Sequence, residues 1–223
     1  MNYRILGRTG LKVSEIGLGG EWFNGLSQEE STAIVDAAAK SGINYIDIFM
    51  PQAPTRDHLG IAVKGRRDQF IIQGHLCTIY EDGQYTRTRD IEKTKHSFQD
   101  LLTRLQTDYI DVGMIHYVDS EEDFRTVFDG PVLEYAKELK AKGVIHHIGM
   151  SSHNPHIALK AVESGCIDVL MFSINPAYDM ESADTDIYDL MEFKGMEKSG
   201  LVVDEARQRL YSACESEVLP SPS

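Results

Sequence analysis

Six polar side chains, Glu21, Asp47, His75, His116, Ser151 and Asn175, each follow an apolar, strand-prone run. In a chain that alternates strands with helices, residues at the carboxyl ends of parallel strands gather on the side where such folds build their sites. His116 closes the run Tyr109–Ile115 inside LLTRLQTDYIDVGMIHYVD (101–119), with Asp119 just beyond it. An unperturbed imidazole titrates near pH 6.5, so a histidine there suits proton transfer. Asp47, His75 and His116, joined by Glu21 or His153, would also make a metal-ligand set of two histidines and a carboxylate. These residues come from different strands, so no local spacing singles out a metal. A histidine in such a place also serves simply to hydrogen-bond a loop.

The composition limits the classes of function. The chain has 223 residues, 42% of them hydrophobic, enough for one sizeable core and a single domain over 1–223. A net charge of -13 argues against partners such as nucleic acid or an anionic membrane surface. Cys77, Cys166 and Cys214 are widely spaced and show neither disulfide-framework nor zinc-module spacing. No run of about 18 apolar residues occurs. MNYRILGRTG has no continuous apolar stretch, so a cytoplasmic setting is expected.

The elements that would position these side chains follow from pattern. Tyr3–Leu6 and Leu11–Val13 flank a glycine-rich turn and predict a short β-hairpin. Ile16–Gly20 reads as a strand running into glycines, which permit close approach of a backbone or a ligand. Strands are predicted at Asn44–Phe49, Phe70–Gly74, Tyr109–Ile115, Val144–Met150 and Ile167–Phe172. Helices are predicted at Ser27–Ser41, His58–Lys64, Asp90–Leu105, Pro131–Lys142, Pro155–Ser164 and Val203–Glu215. Met50–Arg56 and Tyr80–Thr88 read as loops, the second a lid carrying Tyr80 and Tyr85. Residues 120–129 read as irregular or weakly helical, and 216–223 as a disordered tail. Cys77 reads as an accessible thiol, and Cys166 and Cys214 as buried. Strands alternating with helices imply parallel pairing with right-handed crossovers. Gly19-Gly20 is not a GxGxxG fingerprint opening a helix, and polar residues after nearly every strand favour a (β/α) barrel over an open sheet.

Five stretches carry a resemblance: YRILGRTGLKVSEIGLGG (3–20), SGINYIDIF (41–49), LGIAVKGRRDQFII (59–72), LLTRLQTDYIDVGMIHYVD (101–119) and AKGVIHHIGMSSHNP (141–155). In this order they are similar to the aldo-keto reductases, NADPH-dependent carbonyl reductases on a (β/α)8 TIM barrel. They are closest to a bacterial subgroup whose longer members carry a C-terminal iron-sulfur segment, which is absent from this sequence, so no cluster is expected. The resemblance implies reduction of a small carbonyl substrate, with a Tyr donating a proton while a Lys and an Asp lower its pKa and a His orients the substrate. Asp47 and His116 stand at the Asp and His positions. The Tyr position falls within Met50-Pro51-Gln52-Ala53, on Gln52, and the Lys position falls on His75. Both the acid and its cationic neighbour are therefore replaced, and His75 becomes the surrogate acid. For the cofactor, the resemblance points to Gly19, Gly20, Ser151 and Ser152. Ser151-Ser152 stand where the family has Ser-Asn, and the family's Gln after strand six falls near Met171.

The family draws most contacts to the NADPH phosphates from strands seven and eight. This sequence stops after the helix following strand six, so the resemblance implies about six of eight strand–helix units. Open edges at the first and sixth strands then predict self-association or low stability. Two further readings stand beside carbonyl reduction. One is a non-catalytic partner subunit, or a truncated remnant, on the same scaffold. The other is the metal-assisted site at Asp47, His75 and His116.

Overall fold

The computed structural model describes residues 1–173. Asn175, the acidic stretch after Tyr178, the helix expected over Val203–Glu215, Cys214 and the tail 216–223 lie outside the described residues.

The chain opens with an antiparallel hairpin of β1 (Tyr3–Ile5) and β2 (Lys12–Ser14). Six parallel strands then form one sheet: β3 (Leu18–Gly19), β4 (Tyr45–Ile48), β5 (Ile71–Leu76), β8 (Ile110–Ile115), β9 (Ile145–Ser152) and β10 (Val169–Phe172). Their order, β10-β9-β8-β5-β4-β3, follows the chain without inversion, as in a curling barrel sheet. Between β5 and β8 lies a second hairpin, β6 (Thr78–Glu81) with β7 (Gln84–Arg87). Helices α1 (Gln28–Lys40), α2 (Ala53–Val63), α3 (Ile91–Leu105), α5 (Pro131–Ala141) and α6 (Pro155–Glu163) connect the strands, with α4 (Glu121–Phe128) ahead of α5.

Local chemistry explains most boundaries. Ser27 and Glu30 form a reciprocal capping box at the start of α1. Asp90, Ser120 and Asn154 cap α3, α4 and α6 with side-chain oxygens. Phe98, Leu101, Leu102 and Leu105 line one face of α3 and bury it on the sheet, each contributing about 1.5–3 kcal/mol. Gly60 lets α2 approach α3, since a Cβ there would lie 2.2 Å from the Arg104 carbonyl oxygen.

The two faces of the sheet differ. Ile46, Ile48, Ile72, Ile148 and Met150 join the helices in the main core. On the inner face, Val112, Met114 and Val169 meet Leu6 and Leu11 of the first hairpin, which covers that end of the sheet. Arg8 fastens the hairpin by donating to the Ile167 carbonyl at 2.7 Å.

Three local expectations are corrected. Residues 80–88 are not a loop: Asp82 and Gly83, at φ 52° and 80°, make the two-residue turn of a hairpin. Residues 121–128 form a full helix, because the Ser120 cap and the buried Phe124 and Val127 give it an end and a face. Helix α2 begins at Ala53, inside the expected loop, because Pro54 suits the first helical turn.

Candidate active site

Strand alternation brings Tyr45 and Asp47 of β4, Gln73 and His75 of β5, and His116 just beyond β8 onto the inner face. They are joined by direct hydrogen bonds. The Tyr45 hydroxyl donates to Gln73 Oε1 at 2.6 Å. That bond orients the Gln73 amide, whose Nε2 donates to Asp47 Oδ1 at 2.6 Å. His75 Nε2 donates to the same carboxylate oxygen at 3.0 Å. His75 Nδ1 and His116 Nδ1 lie 2.8 Å apart, and His116 Nε2 hydrogen-bonds the Tyr85 hydroxyl. Asp47, His75, His116 and Tyr85 thus form one chain.

Aromatic rings wall it. Phe49 stacks on His116 at 5.5 Å between centroids and meets Tyr85 edge-on at 5.7 Å. Tyr117 packs against His116 at 4.9 Å. The second hairpin carries Tyr85 into this position. Cys77, at φ 69°, turns the chain out of β5. Ser97 Oγ donates to the Thr78 carbonyl at 2.6 Å, holding β6 on α3. Arg87 pairs with Asp123 at 2.9 Å, holding β7 toward α4.

Burial and charge set the acid–base character. Burial pushes the Asp47 carboxyl up, but the His75 imidazole and the bonds from His75 and Gln73 outweigh it and hold Asp47 below the usual carboxylate range. Burial lowers the His116 imidazole to about 2, helped by the positive fields of His75, Arg89, Arg87 and His153. His116 is therefore neutral in the folded protein. Burial also pushes the Tyr45 phenol up, leaving it a fixed donor to Gln73.

The other expected residues fall in varied places. Ser151 faces the inner surface, two residues after Gly149, which pairs with Met114. Its hydroxyl has no hydrogen-bond partner among the described residues. Ser152 is engaged elsewhere, its hydroxyl donating to the Val118 carbonyl at 2.7 Å. Gly20 donates its N–H to the Asp47 carbonyl at 2.8 Å, and a Cβ there would sit 3.2 Å from that oxygen. Its smallness is thus explained by strand approach. Gly19 borders open space. Gln52 caps α2 with its backbone and leaves Oε1 buried without a partner. Met171 lies against Gln73, whose Nε2 is 3.6 Å from its sulfur.

Glu21 lies on an exposed 3-10 turn, and His153 pairs with Asp119 at 2.9 Å. Neither joins Asp47, His75 and His116, whose facing atoms are occupied by one another. Among the described residues no group of three or more His, Cys, Asp or Glu could hold a metal ion. Cys77 is buried, and burial pushes its thiol up, correcting the expectation of an accessible thiol. Cys166 is half-buried in the turn before β10 rather than in the core.

Sequence reasoning missed Gln73 and the contact of Tyr85 with His116. The period-2 pattern of β5 puts Gln73 on the face of His75. The Asp82-Gly83 pair between Tyr80 and Tyr85 is the sequence signal of a hairpin.

Comparison with known proteins follows the same lines. The sequence model of the Aldo/keto reductase family matches residues 15–197. The uncharacterized oxidoreductase YqkF of Bacillus subtilis is 31% identical over 176 residues, 77% of this chain and 56% of that protein. The chain spans about half the length of the curated relatives it matches. The crystal structure of PA4992 from Pseudomonas aeruginosa superposes with a TM-score of 0.67 at 29% identity, covering 78% of this chain and 68% of that one. The holo form of aldo-keto reductase AKR11C1 from Bacillus halodurans is 21% identical, with a TM-score of 0.63 over 100% of this chain and 93% of that one, a likeness of fold. Among the described residues no helix is long and apolar enough to cross a membrane.

Proposed function

Because this chain belongs to the aldo/keto reductase family of oxidoreductases, we propose that its inner-face cluster interconverts a small carbonyl compound and its alcohol, with a nicotinamide dinucleotide as redox partner. The observation that carries this reading is the buried chain Asp47–His75–His116, which reaches the Tyr85 phenol. Carbonyl reduction needs an acid at the oxygen. The segment 50–53 contains no tyrosine, and the second hairpin supplies one from another direction.

Ser151 fits the cofactor. Its hydroxyl lies on the inner face, without a hydrogen-bond partner among the described residues, and can meet a nicotinamide carboxamide, whereas the Ser152 hydroxyl is already committed. A bound reduced nicotinamide would supply hydride to the carbonyl carbon. Asp47 keeps a hydrogen on His75 Nε2, His116 holds the phenol, and Phe49 and Tyr117 exclude water around the imidazole.

Titration of NADPH fluorescence with the purified chain tests the reading. Saturable binding, weakened about fivefold in Ser151→Ala, is expected. No binding up to about 1 mM cofactor would retire it.

A further inference from the structure

We propose that Arg89 is a positioning residue: its guanidinium, locked on Asp123, grips the main-chain carbonyls of His116 and Tyr117 and so aims the His116 ring at His75 and Tyr85. The consequence for turnover rests on the function proposed above.

β8 ends at Ile115, so the ladder that fixes this strand stops before His116. The His116 N–H still donates to the Leu76 carbonyl at 3.2 Å, and the next anchor is the Val118 N–H, which donates to the Ser151 carbonyl at 2.9 Å. Between those anchors two carbonyls need donors from elsewhere. Arg89 supplies them. Its Nη1 donates to the His116 carbonyl at 3.0 Å and its Nη2 to the Tyr117 carbonyl at 2.6 Å. Arg87 Nη1 adds a second donor to the Tyr117 carbonyl at 3.0 Å.

The grip holds because the guanidinium is itself fixed. Arg89 Nε and Nη2 donate to the two oxygens of Asp123, each at 2.7 Å, the two-pronged geometry that suits arginine and carboxylate. Asp123 sits in the first turn of α4, where its N–H donates to the capping Ser120 hydroxyl at 3.1 Å. Burial opposes the charge on Arg89, but Asp123 outweighs it and holds the guanidinium above its usual value. Four bonds to three residues therefore leave one planar group. A lysine there would keep the charge, but its donors fan from a single point and cannot hold Asp123 and both carbonyls in one geometry.

Tyr85, Arg87 and Arg89 follow one another at two-residue spacing. The strand that brings Tyr85 to His116 thus brings the grip with it. Beyond burial and the field of His75, both guanidiniums also oppose a positive charge on the ring that they aim.

Two measurements test the grip. The first is nitrogen NMR of the chain with 15N-labelled histidine at about pH 8, where an unperturbed imidazole is neutral, without cofactor. His116, assigned by its loss in His116→Gln, is expected to show one fixed tautomer, with its two ring nitrogens far apart in shift. In Arg89→Lys the two shifts are expected to move together as the ring loses its aim, with circular dichroism and the His147 signals unchanged. Asp123→Asn weakens the hold on both guanidiniums while leaving them in place. It is expected to give a smaller change of the same kind, and is the reading used if Arg89→Lys does not fold. Unmoved His116 shifts in a folded variant overturn the proposal, as do averaged shifts in the unaltered chain.

The second measurement uses NADPH and 4-nitrobenzaldehyde. Arg89→Lys is expected to lower kcat about 10–100-fold while NADPH affinity stays within about twofold. In a His116→Gln background the same change is expected to cost less than about threefold, because no imidazole remains to be aimed. Equal losses in the two backgrounds would make Arg89 a general brace of the fold and overturn the proposal. Absence of NADPH binding or of turnover in the unaltered chain retires the proposed function, and the NMR measurement then decides the grip by itself.

Discussion

Asp47 receives two donors on one oxygen, and its charge, rather than its shape, is what an amide would remove. An asparagine at position 47 can still accept from His75 Nε2–H, but the two donors lose the charge they face. A hydrogen bond to a charged group contributes about 1.5–3 kcal/mol, against about 1 for a neutral one. Asp47→Asn is therefore expected to destabilise the fold by about 1–2 kcal/mol in chemical denaturation at neutral pH. An unchanged denaturation midpoint would show that the carboxylate charge does not hold the cluster. The same scale separates Ser151 from Ser152. The two hydroxyls are adjacent in sequence, yet strand alternation and the Val118 carbonyl leave only Ser151 available on the inner face.

At the scale of the element, the second hairpin carries Tyr85 to His116. Tyr85 lies two residues after Gly83, whose φ of 80° is costly for any residue with a Cβ. A Cβ at Gly83 would meet nothing within 4 Å, so substitution there probes backbone strain alone. Gly83→Ala is expected to destabilise the turn by about 1–2 kcal/mol. It should lower kcat by loosening Tyr85, with little change in cofactor affinity. Matched kinetics and a cofactor titration of the variant check this, and an unchanged kcat would argue against Tyr85 as the acid of the proposed function. Helix α3 matters at this scale too, because Ser97 and the Lys93–Glu81 pair anchor β6 on it. Helix α3, expected from the sequence, therefore braces the hairpin that was expected as a loop.

For the whole molecule, the buried imidazole ties stability to pH. The folded pKa of His116 is depressed to about 2 from an unfolded value near 6.5. The unfolded chain therefore binds the extra proton first on acidification. The stabilisation is complete above about pH 6.5 and is lost as pH falls below it, with a slope approaching 1.4 kcal/mol per pH unit. Asp47, Asp119 and Asp168 are also held low, each by partners that outweigh its burial, and they add a loss of the same sign once pH drops below about 4. Chemical denaturation between pH 8 and about 5 should show falling stability, and His116→Asn should flatten that slope. A pH-independent midpoint for the unaltered protein would contradict the buried neutral imidazole.

By itself the sequence determined the alternation of strands and helices, the parallel sheet, and the strand-end positions of Asp47, His75, His116 and Ser151. These features are local: a 2.0 or 3.6 residue period, or a family stretch read in order. What the tertiary structure alone decided is how those strand ends connect. The hydrogen bond from Gln73 to Asp47 and the one between His75 and His116 depend on neighbouring strands 26–41 residues apart in sequence meeting in register. The placement of Tyr85 depends on a hairpin that folds back from the sheet and is held by α3 and Asp123. No periodicity encodes such contacts, because they arise only when distant segments share one inner face.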